Sequence, residues 1–138
     1  MSRFTRETII RFAHCDPAGI IFYPRFFGLV NEMVEDWFAA LGHPFGQLHV
    51  TQKKGVPTVR FETEFVGPVR IGDPLQQSLG VEALGRSSCQ LKHIAAVDGR
   101  TVARFDQTIV FTDLASMKAE PWPANLRAAI ERFAGAPS

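Results

Sequence analysis

At 138 residues, with 46% hydrophobic and 21% charged side chains, the chain has the size and composition of one soluble globular domain, which excludes a disordered or membrane-embedded class. Fifteen Lys and Arg against fourteen Asp and Glu leave a formal charge of +1, too weak a field to hold a phosphate backbone, so nucleic acid is not an expected partner. The opening residues carry no apolar run behind a basic cluster, and no stretch is long enough to span a bilayer. One cytoplasmic domain over 1–138, with no membrane partner, is therefore expected.

Residues 4–12 mix β-branched and aromatic side chains with charges and predict a first strand. His14-Cys15-Asp16-Pro17-Ala18-Gly19 follows as a loop, marked by its Asp-Pro pair and its Gly. Phe26, Val30, Met33, Val34, Trp37, Phe38 and Leu41 then recur at spacings of three and four, which predicts a helix over 24–41 with one apolar stripe. Pro24 suits its first turn, and Gly42 and Pro44 suit its end. Beyond Lys53-Lys54-Gly55, the segments 56–68, 74–84, 87–97 and 101–113 read as strands separated by Gly and Pro turns, with Asp98-Gly99 a hairpin signal. A short helix over 124–133, ending at Gly135, closes the chain. This order predicts an α+β fold, with one helix packed on a five-stranded, mostly antiparallel sheet. Such a sheet covers only part of its helix and leaves edges unpaired, so a homo-oligomer is expected.

The segment from Phe12 to Phe27 puts one acid in a Gly-containing loop just before the long helix. Free N–H groups at a helix start can polarise a carbonyl whose oxygen turns anionic under attack, and Asp16 can attack that carbonyl or take a proton from water. A turn or capping acid is the plainer reading of Asp16. His-Cys-Asp-Pro-Ala-Gly-Ile-Ile-Phe-Tyr-Pro-Arg-Phe-Phe closely resembles the signature of the 4-hydroxybenzoyl-CoA thioesterase family. The likeness extends to Gly55-Val56-Pro57 and the Gly-Asp-Pro turn at 72–74.

The resemblance implies a hot-dog fold, a sheet wrapped around one helix and assembled as a homodimer or homotetramer. It implies hydrolysis of a small aromatic acyl-CoA to free acid and CoA, with no metal and no other cofactor. It makes Asp16 the catalytic carboxylate, Tyr23 the residue whose backbone N–H faces the thioester oxygen, and Gly19 the residue that lets the loop approach substrate. Asn31 and Val56 stand where 4-hydroxybenzoyl-specific members have Asp and Thr, which argues against 4-hydroxybenzoyl-CoA as preferred substrate. Arg86, with Ser87 beside it, is the candidate phosphate contact for CoA, ahead of Lys92 and Arg70. Phe22 and Phe26, nearest the loop, are the expected pocket aromatics.

Two other readings share this fold: a non-catalytic acyl-CoA-binding module, which needs no acid, and a hydratase, which needs a His and an acid together. Cys15 and Cys89, far apart and outside zinc spacings, read as free thiols. Cys15 and His14 are neighbours on an extended segment and point apart, which disfavours a Cys-His nucleophile. His14 reads as a structural histidine. His43, His49 and His93 show no metal spacing. Glu32, Glu35 and Asp36 read as the solvated helix face, with Glu35 one turn from Asn31.

Overall fold

The computed structural model describes residues 3–135; the termini of the expected domain, 1–2 and 136–138, lie outside the described residues. The first strand, β1 (Phe4–Ile9), stops short of the expected residue 12. There the chain turns through Phe12–His14, where the His14 and Cys15 N–H groups bond back to the Arg11 and Phe12 carbonyls and the Arg11 N–H donates to His14 Nδ1 at 2.9 Å.

Helix α1 (Tyr23–Ala40) agrees with the expected span to one residue, carries Pro24 in its first turn, and ends before Gly42 at φ +92°. Its stripe of Phe26, Leu29, Val30, Met33, Val34, Trp37 and Phe38 is at most 3% exposed. Burying seven such side chains contributes on the order of 10–20 kcal/mol before chain entropy is counted. Arg6 of β1 reaches Glu32 at 3.0 Å and Asp36 at 2.7 Å, so this part of the expected solvated face is tied to the sheet. Pairs with half-exposed acids contribute about 0–1 kcal/mol each. The apolar stripe holds the helix, and Arg6 orients it.

Strands β3 (Thr58–Phe65), β4 (Pro74–Leu84), β5 (Ser88–Val97) and β6 (Arg100–Val110) join β1 in a five-stranded sheet of order β1-β4-β5-β6-β3, antiparallel throughout. This is the expected α+β arrangement. β3 ends before residue 68 because the N–H groups of Val66 and Gly67 both turn to the Val102 carbonyl. The Asp98-Gly99 hairpin forms as expected, both residues having positive φ, which suits the twist of the flanking strands.

Two features were not expected from the sequence. β2 (Lys54–Gly55), β7 (Thr112–Asp113) and β8 (Lys118–Ala119) form a second small sheet, and Gly46–Thr51 winds as a π-helical turn. A Cβ at Gly55, between them, would meet Leu114 at 3.0 Å and His49 Nε2 at 3.2 Å, so a larger residue there has to push both side chains aside. Helix α2 (Ala124–Glu131) buries Leu126, Ala129 and Ile130 against the end of the core, two residues shorter than its expected span.

The core between α1 and the sheet also holds polar groups. Gln77 donates to the Leu29 carbonyl at 3.2 Å and accepts from Arg6 Nε at 3.1 Å. His93, 3% exposed, bonds through Nε2 to Gln107 Oε1 at 2.8 Å. Burial drives the His93 pKa down to about 4, against the opposing effect of the Gln107 bond, and Arg3 adds to the lowering. A histidine that ionises near 6.5 unfolded and near 4 folded leaves the unfolded chain holding more protons between those values. Stability is thus full above pH 6.5 and falls as pH drops toward 4, by at most about 3 kcal/mol. Urea midpoints measured from pH 7.5 to 4.5 are expected to fall, and to fall less in His93→Gln, which keeps a neutral N–H donor. Equal slopes in the two proteins would assign the effect elsewhere.

Candidate active site

The acid loop is a closed hairpin. Cys15 pairs with Ile21 as an isolated bridge, Asp16 N–H donates to the Ile20 carbonyl at 3.0 Å, Gly19 N–H to the Asp16 carbonyl at 3.0 Å, and Phe22 N–H to the His14 carbonyl at 2.9 Å. Gly19 has φ +79°, a conformation in which a Cβ is strained, and this lets four residues reverse the chain. The far side of the hairpin is pinned through Ile21 N–H to Val69 and Ile71 N–H to Gly19. Within it Asp16 Oδ1 accepts the Ala18 N–H at 2.9 Å, as a turn aspartate does, and Oδ2 has no partner among the described residues.

The hairpin leads straight into α1. Pro24 has no N–H, and the N–H of Arg25 is taken by the Phe22 carbonyl, so the Tyr23 N–H stands at the helix start without an acceptor among the described residues. It is the donor left to face an external oxygen, with the positive end of the helix dipole behind it. A half-free carboxylate and a free N–H thus lie on consecutive pieces of chain fixed by the six backbone hydrogen bonds just named.

Beside them is a mainly apolar hollow of about 180 Å³, lined by Ile20, Ile21, Tyr23, Phe26, Phe65, Gly67, Pro68 and Val69. Larger depressions exist; the one over Arg60, Glu62 and Asp106 is polar and lies on the sheet rather than at the hairpin. Phe26 is 1% exposed and serves core and hollow together, whereas Phe22 is 47% exposed and projects outward. Phe27, Phe61, Phe65 and Phe105 extend the aromatic wall, with Phe27 and Phe61 at 5.3 Å and Tyr23 and Phe65 at 6.4 Å between ring centres. The role of Phe61 and Phe65 was readable only from their alternation on strand 58–65.

The neighbours of Asp16 are structural. His14 Nδ1 is occupied by the Arg11 N–H. Burial and the carboxylates of Asp16 and Asp73 push the Cys15 thiol up, away from a nucleophilic thiolate. Cys89 is buried, its thiol pushed up to about 12, and both cysteines are free.

The other expected site residues are not brought to Asp16 within one protomer. Ile9 pairs with Pro74, which puts the loop at that end of β4; Arg86 and Ser87 occupy the hairpin at the other end, roughly 33 Å along the 11-residue strand. Val56 precedes β3 at that same far end, where Thr58 pairs with Ile109 and Ser88 with Val110. Asn31 is exposed on α1, about 12 Å beyond Tyr23.

The fold is that of the hot-dog thioesterases. A family model described as the Thioesterase-like superfamily matches residues 10–130, and the chain belongs to that superfamily. It is similar to the 1,4-dihydroxy-2-naphthoyl-CoA hydrolase of Synechococcus elongatus, at 23% identity over 92% of this chain and 94% of that one. Among solved structures, a thioesterase superfamily protein from Jannaschia sp. CCS1 superposes with a TM-score of 0.88 at 29% identity, over 99% of this chain and 95% of that one. A gentisyl-coenzyme A thioesterase superposes with a TM-score of 0.83 at 25% identity, over 91% and 98%. No helix among the described residues is long and apolar enough to cross a membrane.

Proposed function

We propose that the protein hydrolyses a small aromatic acyl-CoA thioester to the free acid and CoA. The observation that carries this reading is the Asp16 carboxylate, one oxygen uncommitted, on the hairpin that runs directly into the unpaired Tyr23 N–H, while Ile20 and Ile21 of the same hairpin and Tyr23 itself line a hollow that Phe26 and Phe65 complete. The thioester oxygen lies against the Tyr23 N–H, which stabilises the charge it gains. Asp16 either attacks the carbonyl carbon, expelling CoA thiolate and leaving a mixed anhydride that water then hydrolyses to the free acid, or takes a proton from the water that attacks the carbon and passes it to the departing sulfur, so that CoA leaves as its thiol. Gly19 keeps the loop low enough for substrate, and Phe22, Phe26 and Asn31 line its approach. Two relatives named for hydroxylated aromatic thioesters support the aromatic class.

A second copy of the chain completes this site. β3 is an open edge carrying exposed Val59 and Phe65, next to exposed Val66 and Tyr23, and an unpaired apolar edge invites strand pairing. Pairing β3 with its copy in antiparallel fashion turns the far ends toward each loop, so that Val56, Arg86 and Ser87 of one chain serve the Asp16 of the other. A homodimer, or a homotetramer built from it, follows.

The test is free thiol release from benzoyl-, hydroxybenzoyl-, dihydroxynaphthoyl-, phenylacetyl- and short aliphatic acyl-CoA. Turnover of an aromatic member at least tenfold above the aliphatic ones is expected. A preference for the aliphatic thioesters would overturn the aromatic reading, and release from none would overturn the reading as a whole.

A further inference from the structure

Thioester hydrolysis at the acid loop makes no use of the C-terminal segment, yet that segment reaches the hairpin that carries Arg86. Between β4 and β5, four consecutive carbonyls all find donors. Arg127 Nη1 donates to the Gly85 carbonyl at 2.9 Å, the Trp122 N–H to that of Arg86 at 3.0 Å and the Phe111 N–H to that of Ser87 at 2.7 Å. Trp122 Nε1 donates to the Ser88 carbonyl at 3.1 Å, where the Gly85 N–H also bonds at 2.9 Å. Three of these five bonds come from Trp122 and Arg127.

The donors are themselves anchored. Trp122 is buried with its ring 5.3 Å from that of Phe111, and it stands between Pro121 and Pro123, whose fixed φ leaves the segment few conformations. Arg127 sits on α2, which Leu126, Ala129 and Ile130 fasten to the core, and Glu131 holds its Nε at 3.3 Å. A surface turn can leave its carbonyls to water. Here anchored donors take all four.

The consequence is electrostatic. Carbonyl oxygens are the negative ends of the peptide dipoles, and in a free turn they repel an anion and compete with it for a guanidinium. Bonded to donors from the protein, these four are withdrawn from that competition. The exposed Arg86 guanidinium and the half-buried Ser87 hydroxyl have no partner among the described residues. The turn thus offers a cation and a hydroxyl donor on a backbone pinned at every residue, and a phosphate is bound best by donors fixed in advance.

We propose that Trp122 and Arg127 are positioning residues for CoA, holding the hairpin 85–88 so that Arg86 and Ser87 meet a phosphate of its nucleotide. The inference rests on the proposed thioesterase activity and on Arg86 serving it as a phosphate contact.

The experiment places one aroyl group on two carriers, CoA and pantetheine, which lacks the nucleotide and its phosphates, and compares kcat/KM. Wild type is expected to prefer the CoA thioester, and Arg86→Ala to lose most of that preference. Trp122→Phe keeps a buried ring but loses the N–H to Ser88. Its preference should fall about fivefold, the effect of one lost hydrogen bond, and through KM rather than kcat. Arg127→Met, which gives up the bond to Gly85, should do the same, and it carries the test if thermal melts show Trp122→Phe unfolded. Added to Arg86→Ala, either substitution should lower the preference no further, because it acts through Arg86. Unchanged preference in a folded variant overturns the positioning role of that residue, and so do losses that multiply in the double variant. Wild type active on both thioesters without preference overturns the phosphate contact and this inference with it. Wild type inactive on both overturns the thioesterase reading itself.

Discussion

Asp16→Asn is expected to lower kcat for thiol release by roughly 10³-fold or more, the range in which loss of a general base or nucleophile falls. The substitution isolates charge from architecture. Asn keeps an acceptor for the Ala18 N–H, so the turn that Asp16 makes through Oδ1 survives, as do the backbone bonds closing the hairpin. Melting temperature and KM should therefore stay close to wild type while kcat collapses. If Asp16→Asn turns over within a fewfold of wild type, Asp16 is a turn residue only, and the carboxylate that acts lies elsewhere.

Phe105→Ala is expected to destabilise the chain by about 3–5 kcal/mol, which corresponds to a melting temperature lower by about 10–20 °C. Phe105 is 1% exposed on β6 and touches the rings of Phe26, Phe27, Phe61 and Phe65 at 5.2 to 6.2 Å. It joins helix to edge strand, so the cavity left by its removal cannot close without moving one of them. KM for aromatic thioesters should rise with it, because Phe65 loses its support. Phe105→Leu, which refills most of the volume, should recover most of the stability by calorimetry. A loss below about 1 kcal/mol for Phe105→Ala would mean that the aromatic wall is not one packed unit.

The helix was legible because its buried side chains keep one period over more than three turns, and the four long strands because Gly and Pro bracket each of them. The acid loop was legible as a motif, down to the Asp16 turn and the Pro24 entry. What the sequence did not disclose depends on long-range geometry. The small sheet of β2, β7 and β8 uses two-residue strands, too short for any pattern. The π-helical turn at Gly46–Thr51 follows from packing of Leu48 and His49 rather than from local preference. Glu32 and Asp36 looked like free surface acids because their partner, Arg6, lies 26 and 30 residues away.

The chromophores are divided between core and site in a way that bears on spectroscopy. Both tryptophans are buried in one core cluster, Trp37 on the inner face of α1 and Trp122 against Phe111, with Trp122 Nε1 bonded to the Ser88 carbonyl. The single tyrosine, Tyr23, is 60% exposed at the helix start. Emission excited selectively at the red edge of the indole band therefore follows the melting of that one cluster, whereas the lone phenol stands at the loop, so changes in its absorbance report events there.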